Sequence, residues 1–151
     1  MSDAATFSLR PATVADADLV YRITEASMRR YAEETWGVWD EDATRASFIP
    51  ETTSIIMVKG RDAGCLELVE EPGALHLRKI YLLPEHQKQG IGSRLLRELQ
   101  ERGRRIGKTI HLRVLRVNPA RALYQRHGFE VVARTPERYF MEWKDIGAAS
   151  S

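Results

Sequence analysis

The sequence predicts an α/β (α+β) fold: a mixed central sheet of about seven strands flanked by four helices. Three observations carry that prediction. Residues 74–82 are strand-like, pass through Pro84 and a polar run to Gly90-Ile91-Gly92, and open at once into an amphipathic pattern of Ile91, Leu95, Leu96 and Leu99. The whole chain reads strand, helix, helix, three strands, helix, strand, helix, two strands, with no internal repeat and no linker. Its 151 residues are 43% hydrophobic, which suits one domain with its own core.

Taken in order, Phe7-Ser8-Leu9-Arg10 alternates and stops at Pro11 as a first strand. Thr13-Val14-Ala15-Asp16 has the form of a capping box with Asp in place of Glu. Leu19, Val20, Ile23, Ala26, Ser27 and Tyr31 then recur at helical spacing, so the helix runs to about Glu34. Residues 35–42 break it with Trp36, Trp39 and an acidic run, and a short helix over 43–48 is ended by Pro50. Residues 54–59 and 63–70 are strands joined by Gly60-Arg61-Asp62, and Glu71-Pro72-Gly73 turns into the strand 74–82. Gly107 stops the long helix, and residues 109–115 alternate Ile110, Leu112 and Val114 as another strand. A last helix starts at Asn118-Pro119 and runs to His127, with Pro suited to its first turn and Gly128 to its end. Residues 129–133 and 139–143 pair around Thr135-Pro136-Glu137. A single domain is expected over 1–146, with a frayed tail at 147–151.

Composition narrows the function. No apolar run approaches the ~20 residues of a membrane span, and the N-terminus lacks a signal-peptide pattern, so a cytoplasmic protein without a membrane partner is expected. Cys65 is the one cysteine, which excludes an intramolecular disulfide and a cysteine-rich metal site, and no metal is expected. The net charge of +2 is too small to argue for nucleic acid. Arginines at 94, 97, 102, 104 and 105 bunch on or after the long helix, as a solvated face that also favours the arrival of an acidic cofactor.

The glycine turn carries the chemistry. A helix start exposes unpaired backbone N–H groups and the positive end of the macrodipole, so it favours an anion. Without a Cβ, Gly90 and Gly92 let a phosphate approach the main chain. A Walker loop would need Gly-Lys-Ser/Thr, but Gly92 is followed by Ser93-Arg94. A dinucleotide fingerprint would need a third glycine where Leu95 stands. The arrangement Gln87-x-x-Gly90-x-Gly92, after a strand ending Leu82-Leu83-Pro84-Glu85, instead resembles the coenzyme-A loop of the GNAT family of N-acetyltransferases. A second segment, Asn118-Pro-Ala-Arg-Ala-Leu-Tyr124-Gln-Arg-His-Gly128-Phe129, is similar to that family's Asn-to-Gly-Phe segment, with one residue fewer between Asn and Tyr. The element order matches the family too, so the resemblance covers nearly the whole chain.

That resemblance implies acetyl-CoA as co-substrate, lying in a V-shaped gap between two splayed parallel strands, 74–82 and 109–115. It implies that the main chain of Ile80, Tyr81 and Leu82 pairs with the pantetheine arm. The amides of Gln87, Lys88, Gln89, Gly90, Ile91, Gly92 and Ser93 would take the pyrophosphate, Asn118 would hydrogen-bond the pantetheine amide, and Arg121 would add a cofactor contact; a plain helix cap is the other reading of Asn118. Tyr124 stands where the family places the general acid to the departing thiolate, and a phenol can hydrogen-bond a developing thiolate without ionising. Its structural alternative is an amphipathic tyrosine packed beneath the sheet. His76 stands where several family members carry a catalytic Glu or His, and an imidazole can accept a proton at neutral pH. Glu67 is the fallback base.

The need for a base depends on the acceptor: a lysine-like amine of pKa ~10.4 carries a protonation penalty of ~4 kcal/mol at pH 7, an α-amine much less. The acceptor side falls to Tyr31, Trp36, Trp39, Asp40 and Glu41, where aromatics beside carboxylates suit a small cationic amine. The other reading has one Trp plugging the core while the acids cap the next helix. The expected reaction is direct acetyl transfer to a primary amine, since nothing near Cys65 in sequence lowers its pKa. Protein N-terminal or lysine acetylation is the first alternative, and a CoA-binding sensor without turnover is the second. Exposed edges in this family often pair, which allows a homodimer.

Overall fold

The computed structural model describes residues 6–145, so the expected tail at 147–151 lies outside the described residues. Seven strands form one mixed sheet in the order β1-β2-β3-β4-β5-β7-β6. The chain divides into two compact units, one of Met1–Leu68 with Lys79–Gly92 and one of Val69–Arg78 with Ser93–Ser151.

In the first unit, β1 (Ser8–Pro11) pairs antiparallel with β2 (Thr53–Val58), which pairs antiparallel with β3 (Arg61–Glu71). A register shift between Ile56 and Met57 places Gly64 opposite Ile56 and Asp62 opposite Met57. The capping box forms at Thr13, whose N–H donates to the Asp16 carboxylate at 2.9 Å, and a single turn of 3-10 helix leads into α1 (Ala17–Trp36). That helix runs two residues past the expected Glu34. Gly37 ends it in the left-handed conformation, its N–H returning to the Glu33 carbonyl at 2.7 Å. The next helix, α2 (Glu41–Ala46), starts earlier than the expected 43 because Asp40 caps it, accepting from the Ala43 N–H at 2.9 Å. Val20 and Ile23 of α1 are buried with Ala12, Ile55 and Cys65, and Leu19, Phe48, Met57, Tyr81 and Leu83 pack against them. Between β2 and β3 the turn is Lys59-Gly60, tighter than the expected three residues.

The second unit holds the parallel pair. β4 (Ala74–Leu82) begins here and matches β5 (Thr109–Leu115) at Ala74↔Thr109, Leu75↔Ile110 and His76↔His111. Among the described residues that ladder goes no further, while β5 continues to Leu115 paired with β7 (Arg138–Trp143) on its other side. β6 (Glu130–Arg134) closes the edge antiparallel to β7. Between β4 and β5 in the chain runs α3 (Ile91–Ile106), with Leu95, Leu96 and Leu99 on its buried face at helical spacing. Much of its arginine face is ion-paired, Arg94 with Glu98, Arg102 with Glu70, and Arg104 with Glu101 and Asp145. The last helix, α4 (Ala120–Arg126), is shorter at both ends than expected, because Pro119 serves as its N-cap and His127 as its C-cap.

Candidate active site

The first unit carries the glycine loop. After Leu82 the chain makes one 3-10 turn, Pro84–His86, and then an exposed stretch through Gln87, Lys88, Gln89 and Gly90 into α3. Side chains shape that stretch from within: Gln87 Nε2 donates to the Leu82 carbonyl at 2.9 Å, and Gln89 Nε2 donates to the Glu85 carbonyl at 3.0 Å. Lys88 and Gly90 both take positive φ, 63° and 83°. Turning the loop this way leaves the main-chain amides of Lys88, Gln89 and Gly90 without an acceptor among the described residues, followed by the opening turn of α3 at Ile91. Successive N–H groups before a helix start make an anion-binding concavity. Ile80, Tyr81 and Leu82 are half-buried at the end of β4. Gly64 of β3 lets that end approach closely: a Cβ there would overlap the Tyr81 carbonyl oxygen and come within 3.1 Å of the Leu82 Cα.

Glu67 is fully buried on β3, and its carboxylate accepts from the Thr52 hydroxyl at 2.6 Å. Cys65 is also fully buried, and burial pushes its thiol up to about 12 although Lys79 pulls the other way. The aromatic and acidic residues near α2 are tied into the fold. Trp39 donates its indole N–H to the Tyr21 hydroxyl at 2.8 Å, and Arg45 lies over the Tyr21 ring at 4.2 Å while pairing with Glu41 and Asp18. So Asp40 caps α2 and Glu41 anchors Arg45. Trp36 ends α1 with 47% of its surface exposed, and Tyr31 lies earlier on the same helix with Arg30 at its ring.

The second unit carries His76 and Tyr124. His76 is 9% exposed, and its pKa is held below the ordinary imidazole value by burial first and then by His111 and Arg113. Asn118 Oδ1 accepts from the Ala120 N–H at 2.9 Å, an Asx-type turn one residue ahead of the Pro119 N-cap rather than the expected helix cap. Arg121 and Arg116 both lie over the Tyr139 ring, at 4.6 and 5.0 Å, and the Tyr139 phenol is held below its usual value, chiefly by a hydrogen bond from Arg116. Tyr124 is buried on α4 with its ring edge-on to Phe129 at 5.9 Å, and burial pushes its phenol up to about 12. No hydrogen bond from another described residue involves that hydroxyl. A buried, protonated phenol of this kind is a donor at any physiological pH.

The sequence matches the acetyltransferase (GNAT) domain over residues 50–131, more than half of the chain. The chain belongs to the GNAT acetyltransferase family. Acetyl-CoA is that family's co-substrate. Solved structures agree on the fold. The PaiA N-acetyltransferase of Thermoplasma acidophilum, solved with coenzyme A, aligns with a TM-score of 0.75 at 20% identity, covering 93% of this chain and 99% of its own. The ribosomal-protein-S18-alanine N-acetyltransferase of Escherichia coli gives 0.69 at 20% identity, over 92% and 94% of the two chains. Ard1 of Thermoplasma volcanium gives 0.68 at 18% identity, over 91% and 97%. No curated protein matches the sequence. For this GNAT chain the mixed seven-stranded sheet with four helices is thus the family fold, and no described helix is long and apolar enough to cross a membrane.

Four relationships in this GNAT domain escaped the sequence reading: Thr52 with Glu67, Tyr21 with Trp39, Arg116 and Arg121 with Tyr139, and Glu71 with His111 and His76. One had a signal. His76 and His111 each stand two residues into their strands, and strands starting in parallel register bring equal offsets together.

Proposed function

We propose that this chain is an N-acetyltransferase moving acetyl from acetyl-CoA directly to a primary amine, with a small cationic amine as acceptor. The observation that carries this reading is Tyr124: a buried phenol with a protein-free hydroxyl at the motif position of the family's acid. In the reaction the amine nitrogen forms a bond to the thioester carbonyl carbon, the C–S bond breaks, and the amine's proton goes to His76. With its pKa near 12, handing the Tyr124 proton fully to a thiolate of pKa ~8.5 is uphill by roughly 5 kcal/mol. Tyr124 therefore works as a hydrogen-bond donor to the developing thiolate, which takes its proton from solvent after leaving. The amides of Lys88 to Ser93 hold the pyrophosphate, the expected Gln87 N–H being taken by the Pro84 carbonyl at 3.2 Å; the main chain of Ile80 to Leu82 holds the pantetheine arm, and Asn118 and Arg121 add polar contacts. Glu67, fully buried and hydrogen-bonded to Thr52, is the poorer base.

Cation recognition falls to the exposed face of Trp36 with Tyr31 and the exposed Glu34 and Asp42, since Asp40 and Glu41 are committed to α2. A second reading, acetylation of a protein N-terminus, is favoured by the fold likeness to the S18-alanine enzyme. Two measurements decide. Tyr124→Phe should lower kcat while leaving CoA affinity in place; unchanged kcat removes the acid role, and a wild-type chain that binds CoA but acetylates nothing is a sensor. A panel of polyamines, amino sugars and N-terminal Ala peptides, followed by thiol release, separates the acceptors, and a preference for peptides overturns the small-amine reading.

A further inference from the structure

We infer that Glu71, His76 and His111 form a binding site for a divalent transition-metal ion of the Zn²⁺ type. Glu71 is the last residue of β3, and His76 and His111 are register partners on β4 and β5. One ligand atom from each of the three lies within 4.8 Å of the others. His111 Nε2 is 3.1 Å from Glu71 Oε1, and the two imidazole rings stack at 4.5 Å between centroids and 18° between planes.

Two imidazoles and a carboxylate are the donor set that suits zinc and its neighbours, and three protein ligands leave a coordination position open. Magnesium and calcium prefer all-oxygen shells, so they are not the ions this set selects. All three ligands sit on strands, whose backbones fix the ligand positions before an ion arrives. Access is open: the side chains of His111 and Glu71 are 36% and 42% exposed, with the more buried His76 as the inner ligand. Glu71 is the facing anion, while Arg113 and Arg78 oppose an incoming cation and Lys108 is occupied by Glu70 and the Glu71 carbonyl. The single cysteine argues only against thiolate sites, and Glu71 and His111 stand 40 residues apart, too far for a local ligand-spacing motif.

Such an ion would occupy the lone pair that His76 uses as a base, a consequence that rests on the function proposed above. The site itself does not. The test uses the full-length protein after chelator treatment, titrated calorimetrically with Zn²⁺ and, for visible absorption, with Co²⁺. One ion per chain is expected, with a Co²⁺ spectrum of nitrogen and oxygen ligation. His111→Gln and Glu71→Gln should each weaken binding about 10-fold or more. Circular dichroism and a retained thermal shift with CoA show that each variant is folded. No stoichiometric uptake by the wild type, or uptake unchanged in both variants, overturns the site. Zn²⁺ that binds and also inhibits turnover, with inhibition relieved in Glu71→Gln, supports both the site and the base. Binding without inhibition upholds the metal site and removes His76 from catalysis, so the two readings fail separately.

Discussion

Gln100, buried on α3, donates its side-chain amide to the carbonyl oxygen of His127 at 2.7 Å. His127 caps the end of α4, and its own N–H returns to the Tyr124 carbonyl at 3.0 Å, which also accepts from the Phe129 N–H at 3.1 Å. The bond therefore fixes the C-terminal end of the helix that carries Tyr124. Gln100→Leu keeps the apolar contact but leaves the His127 carbonyl without its donor, a cost of about 1–3 kcal/mol. Urea denaturation should show a lower midpoint at unchanged slope, and kcat should fall more than CoA affinity. A midpoint equal to wild type would mean that the bond contributes nothing net.

At Gly64 the constraint is backbone against backbone. A Cβ added there meets the Tyr81 carbonyl oxygen and the Leu82 Cα, neither of which can rotate aside as a flexible side chain would. Gly64→Ala should therefore cost at least the ~1–3 kcal/mol typical of overpacking and displace the end of β4. Thermal denaturation reads the stability, and a CoA titration reads the consequence for the cofactor. Lost stability with unchanged CoA affinity would take the main chain of residues 80–82 out of cofactor binding.

What local pattern dictates was legible. The strands Ala74–Leu82 and Thr109–Leu115 were placed to the residue, because alternation and flanking turns mark both ends. The Gly90 turn and the helix after it were legible for the same reason. Ambiguous edges were those set by one hydrogen bond: Trp36 stays helical because Gly37, not Thr35, supplies the left-handed cap, and α2 starts at Glu41 because the Asp40 carboxylate captures the Ala43 amide. Contacts between distant strands left little trace. Thr52 finding Glu67, or Glu71 finding His111, depends on sheet order and register, which periodicity alone does not specify.

Asp16 makes the acid side of the stability curve testable. Its carboxylate accepts two guanidinium bonds from Arg10, each 3.0 Å, and the Thr13 N–H at 2.9 Å. These hold its pKa below the usual carboxylate range, the Arg10 hydrogen bond first and the Thr13 amide second. A depressed folded-state pKa contributes stability that is present above the unfolded value of ~3.9 and is lost as pH falls through the folded one. The stability difference between wild type and Asp16→Asn should thus be largest near neutrality and shrink as pH drops below about 4. Urea midpoints for both proteins across the acid range check this. A difference independent of pH would assign the effect to packing rather than to the charge.

Cys65 decides between direct transfer and a covalent acetyl-cysteine. The thiol is fully buried, and burial lifts it to about 12, so at pH 8 roughly one molecule in ten thousand would carry the thiolate that attacks a thioester. The native protein should accordingly resist iodoacetamide at that pH and react once unfolded in urea, a contrast that mass spectrometry reads directly. Cys65→Ala should lose about 1 kcal/mol of stability, from the small volume removed, and still turn over acetyl-CoA. A ping-pong enzyme behaves differently: the variant would be inactive, and acetyl-CoA alone would leave one acetyl group on residue 65 of the wild type. Finding that adduct would overturn direct transfer and would require an opening of the core around Ile23 and Ile55 that admits the cofactor.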